Sequence, residues 1–498
     1  MRRFATIFVA LLLTLSATAQ VDQDDYIQQR MQMQQQYLQQ QRQMQQQYTD
    51  SRRKAQEEYA AFRKKANEAY AASLKQGWER TNTLPPVAPP KAEPKPVRQP
   101  VAPVQKMPSA TPLPHSEVVK LPATQPPVPI PDIPEPEPSV PTLQFSLYGQ
   151  SCQVHTDREN LKFHLPSVDE RGAATMWQVL SQEKYNGILH DCLAQREALR
   201  LGDWGYLRLL QAMSEQLLGK GSDEAVLMQM YLLTQSGYAA RLAKQDGHFA
   251  LLVPFTHTLY GYSFITIDGQ RYYLLSKKNE GSISVCKVGF PGEKVANFQM
   301  SELPKIGGRQ VQKRTFASKR YDTMKATVGV SKALADFLDD YPESDAWDCY
   351  ARVGLSDEVK ADLYPVLRTQ TKGKSKTEAA AMLLNFVQTA FDYATDQEQF
   401  GYERPLFGDE SFFYPSNDCE DRSILYSILL RDLLGLDVAL VLWPGHLATA
   451  VCFNEEVNGD YFTIDDRHYI VCDPTFIGAG VGETMPQFKD VPARLIKL

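Results

Sequence analysis

Three residues near the C-terminal end have the types and the order that nucleophilic chemistry needs. Cys419 lies in YPSNDCEDRS, His446 opens HLATAVCF, and Asp473 stands in HYIVCDPTF. A thiol becomes a strong nucleophile when a base takes its proton, and imidazole is the side chain that does this near neutral pH. A carboxylate on the other ring nitrogen then holds the imidazole in the required tautomer and orientation. The immediate neighbours argue the other way. Asp418, Glu420 and Asp421 flank Cys419, and carboxylates beside a thiol raise its pKa. The cysteine is useful only if something nearby more than offsets those charges.

The elements around it supply part of the answer. Asp418 is a natural helix N-cap, and Asp421, three residues on, completes a capping box, which makes Cys419 the first helical residue. Ile424, Leu425, Ile428, Leu429 and Leu433 recur at helical spacing, so the helix is expected to be buried, and Gly435 ends it. The helix N-terminus offers unpaired N–H groups and a partial positive charge to a thiolate. The acids, committed to the cap, can point away from sulfur. A strand over 438–443 follows, then Pro444-Gly445, a strand opened by His446, a turn at Asn458-Gly459, YFTIDD, and a strand closed by Asp473-Pro474-Thr475. Helix start, second-strand start and third-strand end can meet at one edge of a sheet. An imidazolium within about 4 Å of the sulfur outweighs acids that remain solvated.

Each residue has a plainer use taken singly. A cysteine commonly packs, a histidine at a strand start is often only a half-exposed polar group, and Asp-Pro marks a turn. The joint order on these elements is what favours chemistry. His468 sits mid-strand among polar residues and is the lesser candidate for the base. Cys452 and Cys472 lie on strands that can be neighbours and are expected to pack or to form a disulfide. The seven cysteines include no CxxC pair, and an odd count leaves at least one thiol free or paired between chains; Cys419 is the expected free one.

An internal repeat frames this constellation. Sliding the chain so that 221 falls on 419 lays 221–253 on 419–451 without gaps, with nine of 33 positions identical, where composition alone gives roughly two. Asp223 falls on Asp421, Gly237 on Gly435, and Gly247-His248 on Gly445-His446. The match resumes one residue out of step at TIDGQRYY (266–273) against TIDDRHYI (463–470). The unit is helix, strand, strand, strand. In the first copy Gly221 takes the place of Cys419 and Ser276 that of Asp473, so that copy is expected to be degenerate, serving to bind substrate or cover the cleft.

The rest of the chain bounds the setting. MRRFATIFVALLLTLSATAQ has a basic start, an apolar stretch from Ile7 to Leu15 and the small residues Ala17-Thr18-Ala19, the marks of a cleaved signal peptide over 1–19. A periplasmic or secreted location is expected, without a lipid anchor. No later apolar run approaches the roughly 20 residues that a membrane-spanning helix needs, so no span is expected. A net charge of −6 with interspersed signs gives no case for nucleic acid. Over 20–83, Tyr26, Tyr37, Tyr48, Tyr59 and Tyr70 recur at one constant step. Their spacing is that of a repeat of about 11 residues, three helical turns, so one stripe runs along a long Gln-rich helix suited to self-association. Twenty of the 32 prolines lie between 85 and 141, and 84–142 is expected to be a disordered polyproline spacer.

The order Cys on a helix, His on a strand and Asp-Pro-Thr after a strand resembles the transglutaminase-like superfamily, which shares the papain-like α+β core. The resemblance covers roughly 375–480, including TEAAAMLLNFVQTAFDYATDQEQFGYERP. More narrowly, DCEDRS, PGHLATAV and CDPTFIGAGVGETMP are similar to a group of exported bacterial transglutaminase-like proteins. It implies an α+β fold of two tandem transglutaminase-like domains: 143–345 degenerate and 346–498 catalytic. It also implies acyl transfer through a thioester, ending in hydrolysis of a peptide or amide or in transfer to an amine. Cys419 would be the nucleophile, with its backbone N–H an oxyanion donor, His446 the base and Asp473 the orienting acid. Many members carry an aromatic shortly after the histidine, where this chain has Leu447 and Ala448. No calcium-loop pattern or flanking β-domain is present either, so a hydrolase or peptidase is expected rather than a cross-linker. No cofactor or metal is expected. The expected partner is a protein or peptide substrate, a cell-envelope component among the candidates, with a homo-oligomer formed through residues 20–83. The alternative is a non-catalytic envelope scaffold or peptide-binding protein oligomerised by that helix.

Overall fold

The computed structural model describes residues 23–76, 78–89, 110–120, 133, 136, 140–156, 164–275, 281–308, 310–344 and 346–498. The signal peptide expected over 1–19, much of the proline-rich stretch and Ser276 lie outside the described residues. The chain divides into two units, Met1–Lys65 and Ala66–Leu498. In the first, a helix begins at Gln23 and carries Met33, Tyr37, Met44 and Tyr48 exposed on its surface. That helix ends at Leu74, short of the expected residue 83. Trp78 Nε1 donates to the Leu74 carbonyl (3.2 Å), satisfying one of the acceptors a helix leaves open. Strand β1, Glu79–Asn82, follows.

The second unit is α+β. Its last helical turns bury Ala66, Tyr70, Ala71 and Leu74, and the Tyr70 ring lies 4.6 Å from Trp177 and 5.7 Å from Phe290. The remaining strands are β2 Thr111–Pro112, β3 His115–Lys120, β4 Thr142–Leu147, β5 Gln150–His155, β6 Arg241–Gln245, β7 His248–Pro254, β8 Phe264–Ile267, β9 Gln270–Leu274, β10 Ser282–Val285, β11 Val311–Ala317, β12 Lys325–Ser331, β13 Asp437–Trp443, β14 His446–Cys452, β15 Asp460–Ile464, β16 Arg467–Cys472 and β17 Ala493–Lys497. They form a sheet ordered β1-β10-β6-β7-β9-β8, another ordered β2-β15-β16-β14-β13-β17-β3, and the hairpins β4-β5 and β11-β12.

The two large sheets repeat one design. Strands β6-β7-β9-β8 and β13-β14-β16-β15 stand in the same order, each behind a helix, Asp223–Gln235 in one copy and Cys419–Leu429 in the other. The registers agree as well. Arg241 pairs Leu252 and Gln245 pairs His248, just as their counterparts in the second copy do, Ala439 with Ala450 and Trp443 with His446. Leu252 pairs Leu274, while Ala450 pairs Val471, so the third strand is out of step by one residue as in the sequence.

Strand alternation builds two layers. Val438 and Leu440 of β13, Leu447 and Val451 of β14, and Ile470 and Cys472 of β16 face the main core with the helices. Ala439, Val441, Trp443, Ala448, Ala450, Tyr469 and Val471 face the other way, into a second core with Leu113 and Phe488. Cys452 lies in that second core and Cys472 in the first, so they occupy opposite faces and no disulfide joins them. All seven cysteines are buried.

One expectation needs correction. The proline-rich stretch is not a spacer throughout. Thr111 N–H donates to the Gly459 carbonyl (3.0 Å) and Leu113 N–H to the Tyr461 carbonyl (2.8 Å), while β3 pairs in parallel with β17. Only Leu113 and Pro114 separate β2 from β3, although these strands stand at opposite ends of the sheet order. The sheet therefore curls until its edges meet on this strap. Pro112 and Pro114 suit that place, because an edge can spare the missing N–H, and the buried Leu113 anchors it.

Candidate active site

The Cys419 helix starts where the capping pattern puts it. Asp418 is the N-cap, and Asp418 N–H donates to Asp421 Oδ2 at 3.2 Å. Every residue from Cys419 to Leu429 is buried. The helix then loosens over Leu430–Leu434 and stops at Gly435, which takes a left-handed conformation (φ 63°) closed to most other residues. Its second turn is tied to the sheet. Ser423 Oγ, one turn along the same face from Cys419, donates to the Leu447 carbonyl at 2.9 Å. The helix start and the start of β14 thus adjoin.

His446 is held from several sides. Its Nε2 lies 2.8 Å from Asp473 Oδ2, with both side chains buried. Asp473 Oδ1 accepts the N–H groups of Thr475 (2.8 Å) and Phe476 (3.2 Å), so one carboxylate both shapes the loop after β16 and aligns the ring. Phe488 stacks on the imidazole at 5.1 Å and 5° between planes, and Trp443 at 6.1 Å and 10°. The carboxylate at Nε2 fixes the proton there, which leaves the Nδ1 lone pair as the basic end. Among the described residues Nδ1 is buried without a hydrogen-bond partner, and so is the side-chain amide of Asn417, two residues before Cys419.

The thiol itself faces an acid. Cys419 Sγ donates to Glu420 Oε2 at 2.8 Å. The expectation that the acids point away from sulfur fails for Glu420, and an Asp418 carboxylate oxygen also lies within 4.8 Å of Sγ, because these residues are buried together with no solvent to draw the carboxylates outward. The acids form a nest. Asp396 Oδ2 accepts Arg404 N–H (2.6 Å), Asp418 Oδ2 accepts Asp396 N–H (3.3 Å), and Asp421 Oδ1 accepts Leu406 N–H (2.9 Å). Burial, then the charges of Asp421, Asp418 and Glu420, push the Asp396 carboxyl up to about 10. Burial and the neighbouring Asp418 and Glu420 raise Asp421 well above the carboxylate range. The nest therefore carries protons at neutral pH, and the full charge that sequence assigns to it is not present.

The same helix turn buries a cation. Arg422, wholly buried, donates to the carbonyls of Gln388 (3.3 Å), Phe391 (3.1 Å) and Asp392 (3.2 Å) and lies over the Tyr393 ring at 5.2 Å. Donor atoms of Asp396, Asp418 and Asp421, of Asp396, Glu403 and Glu420, and of Asp418, Cys419 and Glu420 come within 4.8 Å of one another, close enough to share a cation or, as the raised acids indicate, protons.

Comparison with protein-family models, curated proteins and solved structures finds no match for this chain. Sequence reasoning missed two residues that build the site. Gln388 Nε2 donates to the carbonyls of Asp473 (3.1 Å), Phe476 (2.9 Å) and Ala479 (3.1 Å), holding the loop that carries the acid. Phe488, from a short turn near the C-terminal end, supplies the parallel face for His446. Nothing in their spacing marks either one. In the first copy Gly221 (φ 68°) precedes the helix, which starts at Asp223. There His248 is exposed, with Nδ1 3.2 Å from Asp223 Oδ2.

Proposed function

We propose that the chain is an exported, cysteine-dependent acyl-transfer enzyme acting on peptide or amide bonds, a hydrolase rather than a cross-linker. On this reading the two copies are tandem transglutaminase-like domains, the first degenerate. The observation that carries it is His446, which bonds Asp473 through Nε2, has Nδ1 buried without a partner among the described residues, and opens the strand whose Leu447 carbonyl accepts Ser423 Oγ of the Cys419 helix. Cys419 turns from Glu420, gives its proton to Nδ1 and attacks the carbonyl carbon. The C–N bond breaks, the amine leaves with the proton from the imidazolium, and water then cleaves the thioester. The test is alkylation of Cys419 by iodoacetamide across pH in the full chain, beside His446→Ala. A reactive thiolate well below pH 8.5, the reference for free cysteine, that disappears in His446→Ala supports the enzyme. An ordinary slow thiol, insensitive to the mutation, defeats it.

A second reading has its own observations. The thiol is bonded to a carboxylate, and Met33, Tyr37, Met44 and Tyr48 are exposed on one long helix. On this reading the chain is a scaffold that binds an envelope peptide and self-associates through residues 20–83. Sedimentation of the full chain against Tyr37→Ser/Tyr48→Ser tests the helix: an unchanged monomeric mass for both removes self-association.

A further inference from the structure

We infer that Cys349 and His257 form a second thiol–imidazole centre, independent of Cys419, suited to thiol–disulfide exchange with a small disulfide. Cys349 Sγ lies 3.8 Å from His257 Nε2. His257 Nδ1 lies 2.9 Å from Thr256 Oγ1.

The surrounding hydrogen bonds bear on which nitrogen carries the proton. Gln299 N–H donates to Asn297 Oδ1 (3.0 Å), which identifies that atom as the amide oxygen. The Thr256 hydroxyl then donates to the same oxygen (3.3 Å). Phe298 N–H donates to Thr256 Oγ1 (3.1 Å), and the hydroxyl has a lone pair left for the ring. With the hydroxyl proton on that oxygen, Nδ1 is the N–H donor to Thr256 Oγ1 and Nε2 the acceptor facing the thiol. The imidazole is thus set as a base toward Cys349 by a chain of groups outside it. The Phe298 ring packs against the imidazole at 5.6 Å between centroids, tilted by 49°.

The other cysteines are differently placed. Burial lifts Cys152 to about 11 and Cys472 to about 12, and it raises Cys192, Cys286 and Cys452 too. Among the described residues none of these five has an imidazole at hydrogen-bond distance. Cys349 is also buried, but beneath a half-buried histidine whose neighbour Thr256 is exposed. The exchange requires His257 to swing aside and admit the disulfide.

The surroundings select the electrophile. Tyr341 and Tyr350 lie near the sulfur, with Phe298 against the imidazole. An aromatic wall suits polarisable sulfur, whereas acyl transfer needs donors aimed at an oxyanion. In the exchange Cys349 gives its proton to Nε2, and its sulfur forms a bond to one sulfur of R–S–S–R. The reagent's S–S bond breaks, and the leaving thiolate takes the proton from the imidazolium. The sum is Cys349–SH + RSSR → Cys349–SSR + RSH, with the disulfide as the oxidant.

The experiment uses the full chain carrying Cys419→Ala, incubated with oxidised glutathione and followed by peptide mass mapping from pH 6 to 9. Cys349 is expected to gain the glutathione mass about tenfold faster at pH 7 than any of the five buried thiols, and to lose that advantage in His257→Asn. Thr256→Val leaves thiol and imidazole in place, frees the ring tautomer and shifts the pH of half-maximal rate; it also serves if His257→Asn melts early. A Cys349 rate within threefold of the other five, or a rate and pH profile unchanged in the folded variants, overturns the proposal.

Discussion

Replacing Asp396 by Asn probes the proton content of the nest around Cys419. In the native chain burial and three neighbouring carboxylates hold the Asp396 carboxyl near 10; in the unfolded chain an aspartate titrates near 3.9. The native state therefore binds an extra proton between those values, and stability falls as pH rises through the window. One extra proton gives a slope of about 1.4 kcal/mol per pH unit. Between pH 7.5 and 9 that amounts to about 2 kcal/mol. The interval lies above Glu343 and Asp409, which burial raises only to about 7 and about 6, so they contribute little there. An amide reproduces the neutral acid. Its oxygen can keep the Arg404 N–H bond now 2.6 Å long, and its NH2 has carboxylates to meet. In urea titrations at the two pH values, Asp396→Asn should lose about 2 kcal/mol less than the parent. Parallel losses would refute the reasoning: the acids would then be ionised, and another group would hold their charge.

Three further outcomes follow from the geometry. Asp473→Asn offers an N–H to His446 Nε2 and so drives the ring proton to Nδ1; where such a swap inverts a catalytic tautomer the loss is on the order of 10⁴, and here Cys419 alkylation should lose its reactivity below pH 8.5. Gln388→Ala leaves the buried carbonyls of Asp473, Phe476 and Ala479 without their N–H, which should cost about 2–4 kcal/mol in urea unfolding and speed hydrogen exchange over 474–480. Leu113→Ala removes the apolar anchor of the strap that closes the seven-stranded sheet and should cost about 2–4 kcal/mol; an unchanged denaturation midpoint would mean that the strap does not support the sheet.

What sequence made legible, and what it did not, divides by the range of the interaction. Asp418, Asp421 and Gly435 set the bounds of the Cys419 helix through contacts within a single helical turn, and those bounds are observed. The repeated helix–strand–strand–strand unit was visible as sequence identity, and the two hairpins it covers pair in the same register. Phe488 reaches back across two strands to His446, and Gln388 reaches forward past the whole second hairpin to Asp473; no periodicity announces such pairs. Asp396 enters the nest by the same kind of distant contact, with Asp418. The strap was hidden by composition: proline density argues for a spacer, yet an edge strand tolerates proline and needs only Leu113 to anchor it.

The first copy bears on the one geometric question that matters for the second. There the helix start and the histidine meet through Nδ1, since Asp223, the first helical residue, sets Oδ2 3.2 Å from His248 Nδ1 and accepts the Phe249 N–H at 2.6 Å. The two hairpins have the same register, so the backbone of His446 stands in the place of His248. Asp421, the counterpart of Asp223, is turned instead to the N–H groups of Leu406 and Asp418. The helix begins earlier than in the first copy, at Cys419. The carboxylate that occupies Nδ1 in one copy leaves it without a partner among the described residues in the other, where the helix start gains Cys419 and Glu420. An exposed histidine bonded to an acid is a surface cap. A buried one, stacked on Phe488, fixed by Asp473 and open at Nδ1, is arranged to accept a proton. On this comparison the N–H groups of Leu406 and Asp418 keep Asp421 from the place that Asp223 takes beside His248.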